Sequence, residues 1–372
     1  MNKHILVAQL AISILSFPLS SSADELRGAG STFAAGAYTS WGFSYSKEKG
    51  VGLVYQATGS GDGIKQIVAR SVDFGATDYA LSAEELQKKG LIQIPTLVSG
   101  IVPAFNVPGI KAGQLHLTGP VVAAIFAGRI ANWNDREIQQ LNPDLRLPNL
   151  PIKCVVRADA SGTTAGFTEY LGKMDLDWGS HIGTGLLVNW PKSFQAVKGN
   201  AGMANAILGG NGAIGYVSAN EVAKFHLVYP LLQNRSKSFV APTNEALLSA
   251  VKASSLTRDG DKLTYVDMPG ANAWPITDAT YILIERTPKN PVRISNVLRF
   301  FYWSFLRGDS MATETGYVPL PTTVQARAVG NLRQVRDAND TPLDFMSRAM
   351  KVEPTQLSSN RAVDLIPAVK GI

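Results

Sequence analysis

Residues 157-RADASGTTAGFTEYLG-172 decide how the rest of the chain is read. Arg157 stands two positions before a carboxylate, Asp159. The loop Ser161-Gly162-Thr163-Thr164 follows, and then Phe167, Tyr170 and Leu171 recur at helical spacing. Ahead of it, 152-IKCVVR-157 is apolar and rich in β-branched residues, as a buried strand is. The stretch therefore predicts a strand, a hydroxyl-and-glycine turn and a helix. Helix starts expose unpaired N–H groups and a partial positive charge, so this place favours an anion. The cation beside it is nonetheless already matched with a carboxylate.

The same local chemistry occurs twice more. The segment 28-GAGSTF-33 precedes an aromatic-rich helical pattern, and 58-TGSGDG-63 precedes IKQIVAR. Each supplies a Ser or Thr suited to an N-cap position and glycines that let the backbone come close to a ligand. One such loop is ordinary helix capping. Three in one chain, one of them carrying Arg-x-Asp, predict an anion cradle where they converge.

Between the loops, strand-like and helix-like runs alternate, which places the chain in the α/β class. Strands are expected at 53–56, 72–76, 92–107, 152–157, 212–218 and 280–285. Helices are expected at 33–48, 63–70, 82–88, 120–127, 162–172, 200–208 and 291–307. The sequence shows neither an internal repeat nor a low-complexity linker.

With 372 residues, 45% of them hydrophobic and 17% charged, the chain has material for a large core and is not a disordered protein. Residues 1–23 combine Lys3, an apolar run from Ile5 to Leu15 and small residues at Ser21 and Ala23, the pattern of an export signal cut after Ala23. The run is shorter than the roughly 20 residues that span a bilayer. Removing residues 1–23 takes away Lys3 and no acid, leaving a formal charge of +5 from +6. That small excess is scattered along the chain, so nucleic acid is not an expected partner. The pI of about 9.2 fits mild long-range attraction for anions.

In order along the chain, GAGSTF, YQATGSGDGIKQI, VDFGATDYALS, IVPAFNVPGI, AAIFAGRIANWND, LNPDLRLP, VVRADASGTTAGFTEYL, VKGNAG, GAIGYV, WPITDATYILI and FFYWSFLRG resemble the periplasmic phosphate-binding proteins of high-affinity phosphate ABC importers, the PstS family. The resemblance runs from Gly28 to about Leu343. It implies a two-lobed periplasmic binding protein fold (type II-like), with 24–104 and 277–372 as lobe I, 105–276 as lobe II and the ligand in the cleft between them. The strands crossing between the lobes would fall near Phe105 and Asn106 and at Thr277 to Thr280. The resemblance further implies a soluble periplasmic protein after signal cleavage, inorganic phosphate or its mimic arsenate as ligand, and membrane permease and ATPase subunits as partners.

Carried over residue by residue, the family's phosphate-binding groups fall on Thr32, Phe33, Ser60, Asp78, Arg157, Ser161, Gly162 and Thr163, with Asp159 orienting the arginine. Neighbours depart from the family: Ala34-Ala35-Gly36 replaces a proline-containing turn, and Gly61-Asp62 alters the second loop. The physical roles follow from residue type. Thr32, Ser60, Ser161 and Thr163 offer hydroxyls, while Phe33, Ser60, Gly162 and Thr163 offer backbone N–H groups. Each such bond to an anion is worth roughly 1.5–3 kcal/mol. Arg157 adds a planar fork, and Asp159 holds it in plane while reducing its net charge. Asp78 would repel an anion unless the anion carries a proton, which phosphate near neutral pH has and sulfate lacks.

A second class of function is a secreted phosphatase using Ser161 or Ser60 as nucleophile, which would need a base or metal. A third is a phosphate scavenger acting without a permease. His4, His116, His181 and His226 show no metal-ligand spacing, so no metal or cofactor is expected. The motif GxxxxGK[ST] does not occur, which leaves energy coupling to partner subunits. Cys154 reads as a buried inert thiol, FFYWSF (300–305) as lobe core, Lys198-Gly199-Asn200 as a helix start, and the tail from about Phe345 as a packing extension.

Overall fold

The alternation of apolar strand runs and mixed helical runs is realised in a computed structural model that describes residues 25–254 and 265–347. The expected export signal, and the tail after 347, lie outside the described residues. The strands are β1 (Glu25–Gly30), β2 (Gly52–Gln56), β3 (Phe74–Thr77), β4 (Leu91–Asn106), β5 (His116–Leu117), β6 (Lys153–Arg157), β7 (Gln195–Val197), β8 (Ala213–Ser218), β9 (Leu231–Gln233), β10 (Phe239–Val240) and β11 (Thr277–Glu285). The helices are α1 (Ala35–Lys49), α2 (Ser60–Val68), α3 (Ala83–Lys89), α4 (Gly119–Phe126), α5 (Arg136–Leu141), α6 (Gly162–Met174), α7 (Trp178–His181), α8 (Gly199–Gly209), α9 (Ala219–Phe225), α10 (Asn244–Ala253), α11 (Pro291–Arg307), α12 (Asp309–Glu314) and α13 (Thr322–Leu332).

Eight strands form one hydrogen-bonded series in the order β2-β1-β3-β11-β4-β8-β6-β7. The two ends of the series are parallel: β1 with β2 and β3, and β6 with β7 and β8. The centre is antiparallel and is carried by β4. Its first part, Leu91–Gly100, pairs with β11, and its last part, Ile101–Asn106, pairs with β8. The change of partner thus falls between Gly100 and Ile101, ahead of the crossing implied at Phe105 and Asn106. Buried on both faces, β4 reads as a continuous apolar run rather than an alternation. It accommodates Pro95 at an irregularity opposite Thr280 and Tyr281, where the ladder does not need the missing N–H.

Aromatic residues fill the core on both sides of β4. Around β1–β3, Tyr38 meets Tyr55, Phe74 and Phe301 edge-on. Around β6–β8, Phe167 lies between Phe126 and Tyr216. The FFYWSF segment is buried in α11, as expected of lobe core, and Phe345 packs on Tyr302 at the start of the tail. Cys154 is buried and its thiol pushed up to about 12 by that burial.

Two local expectations change. Strand β1 is not among the strands read from the sequence, because ELRGAG has weak strand propensity. It forms because it lies between two partners, and its glycines serve packing: a Cβ on Gly28 would stand 2.1 Å from the Phe74 ring, and Gly30, at φ +135°, lies against the Ala76 carbonyl. The uniform capping scheme is also corrected. Of the three loops, only the one at Ser161 caps its helix through a side chain; the N-cap residues of α1 and α2 are Ala34 and Gly59, without side-chain caps. The hydroxyls of Ser31 and Ser60 are turned to Asp78 instead.

Candidate functional site

The site lies where the C-terminal ends of the parallel strands meet, the usual ligand position in open α/β sheets. From β1 comes the loop carrying Ser31, Thr32 and Phe33, and after β2 comes the first turn of α2 with Ser60. Asp78 follows β3. On the other side, Arg157 ends β6 and leads into Asp159 and the first turn of α6. Gly199 and Asn200 open α8 after β7, and Thr280 lies on β11.

Asp78 is the hub of the first group. Its Oδ1 accepts from the hydroxyls of Ser31 and Thr280, both at 2.6 Å, and its Oδ2 accepts from Ser60 at 3.2 Å. Burial pushes its pKa up, against those three hydroxyls and the charge of Arg157. With Oδ1 taken twice and Oδ2 once, the remaining lone-pair capacity of the carboxylate is on Oδ2.

Gly162 ties this group to α6. A Cβ there would lie 2.5 Å from Asp78 Cβ and 2.6 Å from Ser60 Oγ, so the backbone at the start of α6 rests directly on both residues. The contact continues at Gly61, whose N–H donates to the Ala160 carbonyl at 2.9 Å. The first turns of α2 and α6 therefore face each other, each with N–H groups that have no acceptor within its own helix.

Arg157 and Asp159 form the second group. Nε donates to Oδ1 at 2.8 Å and Nη2 to Oδ2, a bidentate fork. The Gly199 amide adds a bond to Asp159 Oδ1 at 3.0 Å. Burial alone would raise Asp159, but the hydrogen bonds and charge of Arg157, with the Gly199 amide, hold its pKa below the ordinary value. The Arg157 side chain is 1% exposed, and its Nη1 has no hydrogen-bond partner. A buried guanidinium N–H without a partner, close before the start of α6, is a donor still open to an anion.

The third group links Thr32 with Thr163 through Asn200, whose Nδ2 lies 2.9 Å from Thr32 Oγ1 and 3.4 Å from Thr163 Oγ1. Thus Thr32, Ser60, Asp78, Arg157, Asp159, Gly162 and Thr163 all fall in one connected cluster. Phe33 and Ser161 adjoin it, with the one N–H of Phe33, the donor expected there, and the amide of Ser161 already engaged. The Phe33 N–H donates to Ser31 Oγ at 3.1 Å, and its carbonyl accepts from Tyr317. Ser161 Oγ accepts from Thr164 N–H, and its own amide donates to Leu186.

Ser31, Thr280 and Asn200 are part of the cluster but were not singled out as site residues. Ser31 sits inside GAGSTF, so the loop signal includes it. Thr280 reaches Asp78 across 202 positions of sequence, and nothing local marks it. Lys198-Gly199-Asn200 is a helix start, as expected, and additionally bridges the other two loops. Among the described residues, no three His, Cys, Asp or Glu side chains gather to hold a metal ion.

Residues 18–307 match the PBP superfamily domain. The chain is 42% identical over 303 residues to the Phosphate-binding protein PstS of Haemophilus influenzae, covering 81% of this chain and 90% of the relative. It is 39% identical over 316 residues to the protein of the same name from Pasteurella multocida, covering 85% and 92%. Among solved structures, the periplasmic phosphate-binding protein PfluDING bound with phosphate superposes with a TM-score of 0.66 at 21% identity, covering 82% of this chain and 93% of that one. At that identity the likeness is one of fold.

Proposed function

Because the chain belongs to the PstS family of phosphate-binding proteins, we propose that it captures inorganic phosphate in the periplasm and hands it to the permease and ATPase subunits of an ABC importer. The lobes are 24–104 with 277–372, and 105–276; the change of partner within β4 and the start of β11 support a division close to these limits. The ligand contacts are Thr32, Phe33, Ser60, Asp78, Arg157, Ser161, Gly162 and Thr163, with Asp159 orienting the arginine. Arsenate, which has the same shape and protons, is accepted by the same chemistry.

The observation that carries this reading is the Arg157 Nη1 group, buried and unpartnered on the strand that leads into α6. Neutral dipoles and one partly neutralised guanidinium bind a dianion because they are already oriented, so little reorganisation is needed on binding. The pairing with Asp159 keeps the site from holding the anion by bare charge, which favours release to a permease. Asp78 supplies the choice among tetrahedral anions. Its Oδ2 accepts the one proton of hydrogen phosphate and repels sulfate, which has none to give. Closure of two lobes around the anion brings both sets of donors together.

No specific observation favours the phosphatase reading. Ser161 Oγ, as the cap of α6, accepts from the Thr164 N–H, and neither serine has a histidine among its hydrogen-bond partners among the described residues. The test is stoichiometry. Purified protein, unfolded to release what it carries, is expected to yield about one phosphate per chain and to liberate none catalytically from phosphate monoesters. Continuous release of phosphate from an ester would overturn the reading.

A further inference from the structure

Asn200 is 1% exposed and sits where three segments meet, yet it belongs to none of the groups expected to contact the ligand. Its amide orientation is fixed by the backbone: Oδ1 accepts from the Ser218 N–H at 3.2 Å, a contact only the oxygen can make. Nδ2 is therefore turned toward the site, where it donates to Thr32 Oγ1 at 2.9 Å and to Thr163 Oγ1 at 3.4 Å. The backbone N–H of Asn200 also donates to Thr32 Oγ1, at 3.3 Å. Gly199, at φ +70°, makes this possible by letting successive amides diverge, its own going to Asp159 and the next to Thr32.

A threonine hydroxyl has two acceptor lone pairs and one hydrogen. At Thr32 both lone pairs are taken by Asn200, so the hydroxyl can act toward anything else only as a donor. At Thr163 one is taken, which biases it the same way. We propose that Asn200 is a positioning residue that makes Thr32 an obligate hydrogen-bond donor to the ligand and biases Thr163 the same way, so that no ligand proton is accepted at Thr32. A site of that polarity fits a tetrahedral oxyanion bearing a single proton. At the Thr32 position it cannot take an O–H of the ligand, so the second O–H of the doubly protonated form must turn elsewhere. The inference rests on the phosphate reading of the site.

The test is a double-mutant cycle of Asn200→Ala and Thr32→Val, read by calorimetric phosphate titration at pH 8 and again at a pH below the second ionisation of phosphate. Each single change is expected to weaken binding about tenfold or more at pH 8, the effect of losing one bond to a charged acceptor. The double variant is expected to be no weaker than the worse single one, because Asn200 acts through Thr32. The loss of affinity on acidification should also be smaller in Asn200→Ala than in the wild type, since the freed Thr32 hydroxyl can turn and accept. A merely structural role would weaken binding equally at both pH values. Additive effects with parallel pH profiles would overturn the inference while leaving phosphate binding intact. A wild-type protein that binds no phosphate would overturn the reading beneath it, and with it the inference. If Asn200→Ala does not fold, Asn200→Asp keeps the shape and the bond from Ser218 but offers Thr32 an acceptor; unchanged affinity in that variant would equally overturn the proposal.

Discussion

Gly162→Ala places a methyl group where there is no room for one. Its Cβ would stand 2.5 Å from Asp78 Cβ, 2.6 Å from Ser60 Oγ and 2.8 Å from Asp78 Oδ2. Carbon atoms prefer about 3.5–4.0 Å, so the start of α6 must retreat from Asp78 by roughly 1 Å. Forced overpacking of this kind costs about 1–3 kcal/mol. On the proposed division, Gly162 belongs to one lobe and Ser60 and Asp78 to the other, so the cost falls on closure and not on the folding of either lobe. Phosphate affinity is then expected to fall about 5- to 150-fold. Thermal unfolding without phosphate should hardly move, since alanine is at least as good as glycine in a helix. Calorimetry with phosphate, beside thermal melts with and without it, separates the two. Equal destabilisation in both melts, or an unchanged affinity, would refute the reasoning that this contact is made only on closure.

Three further changes probe the electrostatics. Arg157→Ala should weaken phosphate binding by at least about 2 kcal/mol, near 30-fold, in the same titration, with a smaller loss for Asp159→Asn. Asp78→Asn removes the charge that repels sulfate and gives an N–H that can bind it, so competition titrations should show a narrower phosphate-to-sulfate ratio even where phosphate affinity survives. Asp278 is buried with Oδ2 lacking a hydrogen-bond partner, and burial followed by the nearby charges of Asp78 and Glu169 pushes its pKa well up. The folded protein therefore holds a proton that the unfolded chain has released. Stability is full below the unfolded carboxylate pKa of about 3.9 and is lost as pH rises toward the folded value, by at most about 1.4 kcal/mol per pH unit. Asp278→Asn should flatten that slope in denaturant melts taken across pH.

Those parts of the fold governed by local patterning were legible in the sequence. The apolar run Leu91–Asn106 and the strand-turn-helix at Arg157 have their expected form, because burial on both faces and a Ser N-cap leave marks within a few residues. Strand β1 was hidden because its strand character comes from its neighbours β2 and β3, which contribute the hydrogen bonds and the aromatic cover over Gly28. The site divided in the same way. Arg157, Asp159 and the hydroxyl loops were visible as residue types at short spacing. The contacts of Thr280 with Asp78 and of Asn200 with Thr32 span 202 and 168 positions, and only the folded sheet brings them together. The hydroxyls of Ser31 and Ser60 could be read as helix caps until the buried carboxylate of Asp78 came beside them.

The central claim is that these loops form a phosphate site that rejects sulfate. One calorimetric titration addresses it most directly, using residues 24–372, unfolded to remove retained ligand, refolded, and titrated in turn with phosphate and with sulfate. The account predicts saturable binding of one phosphate per chain and no measurable heat of binding with sulfate at the same concentrations. Equal affinity for the two anions, or no binding of phosphate, would contradict it.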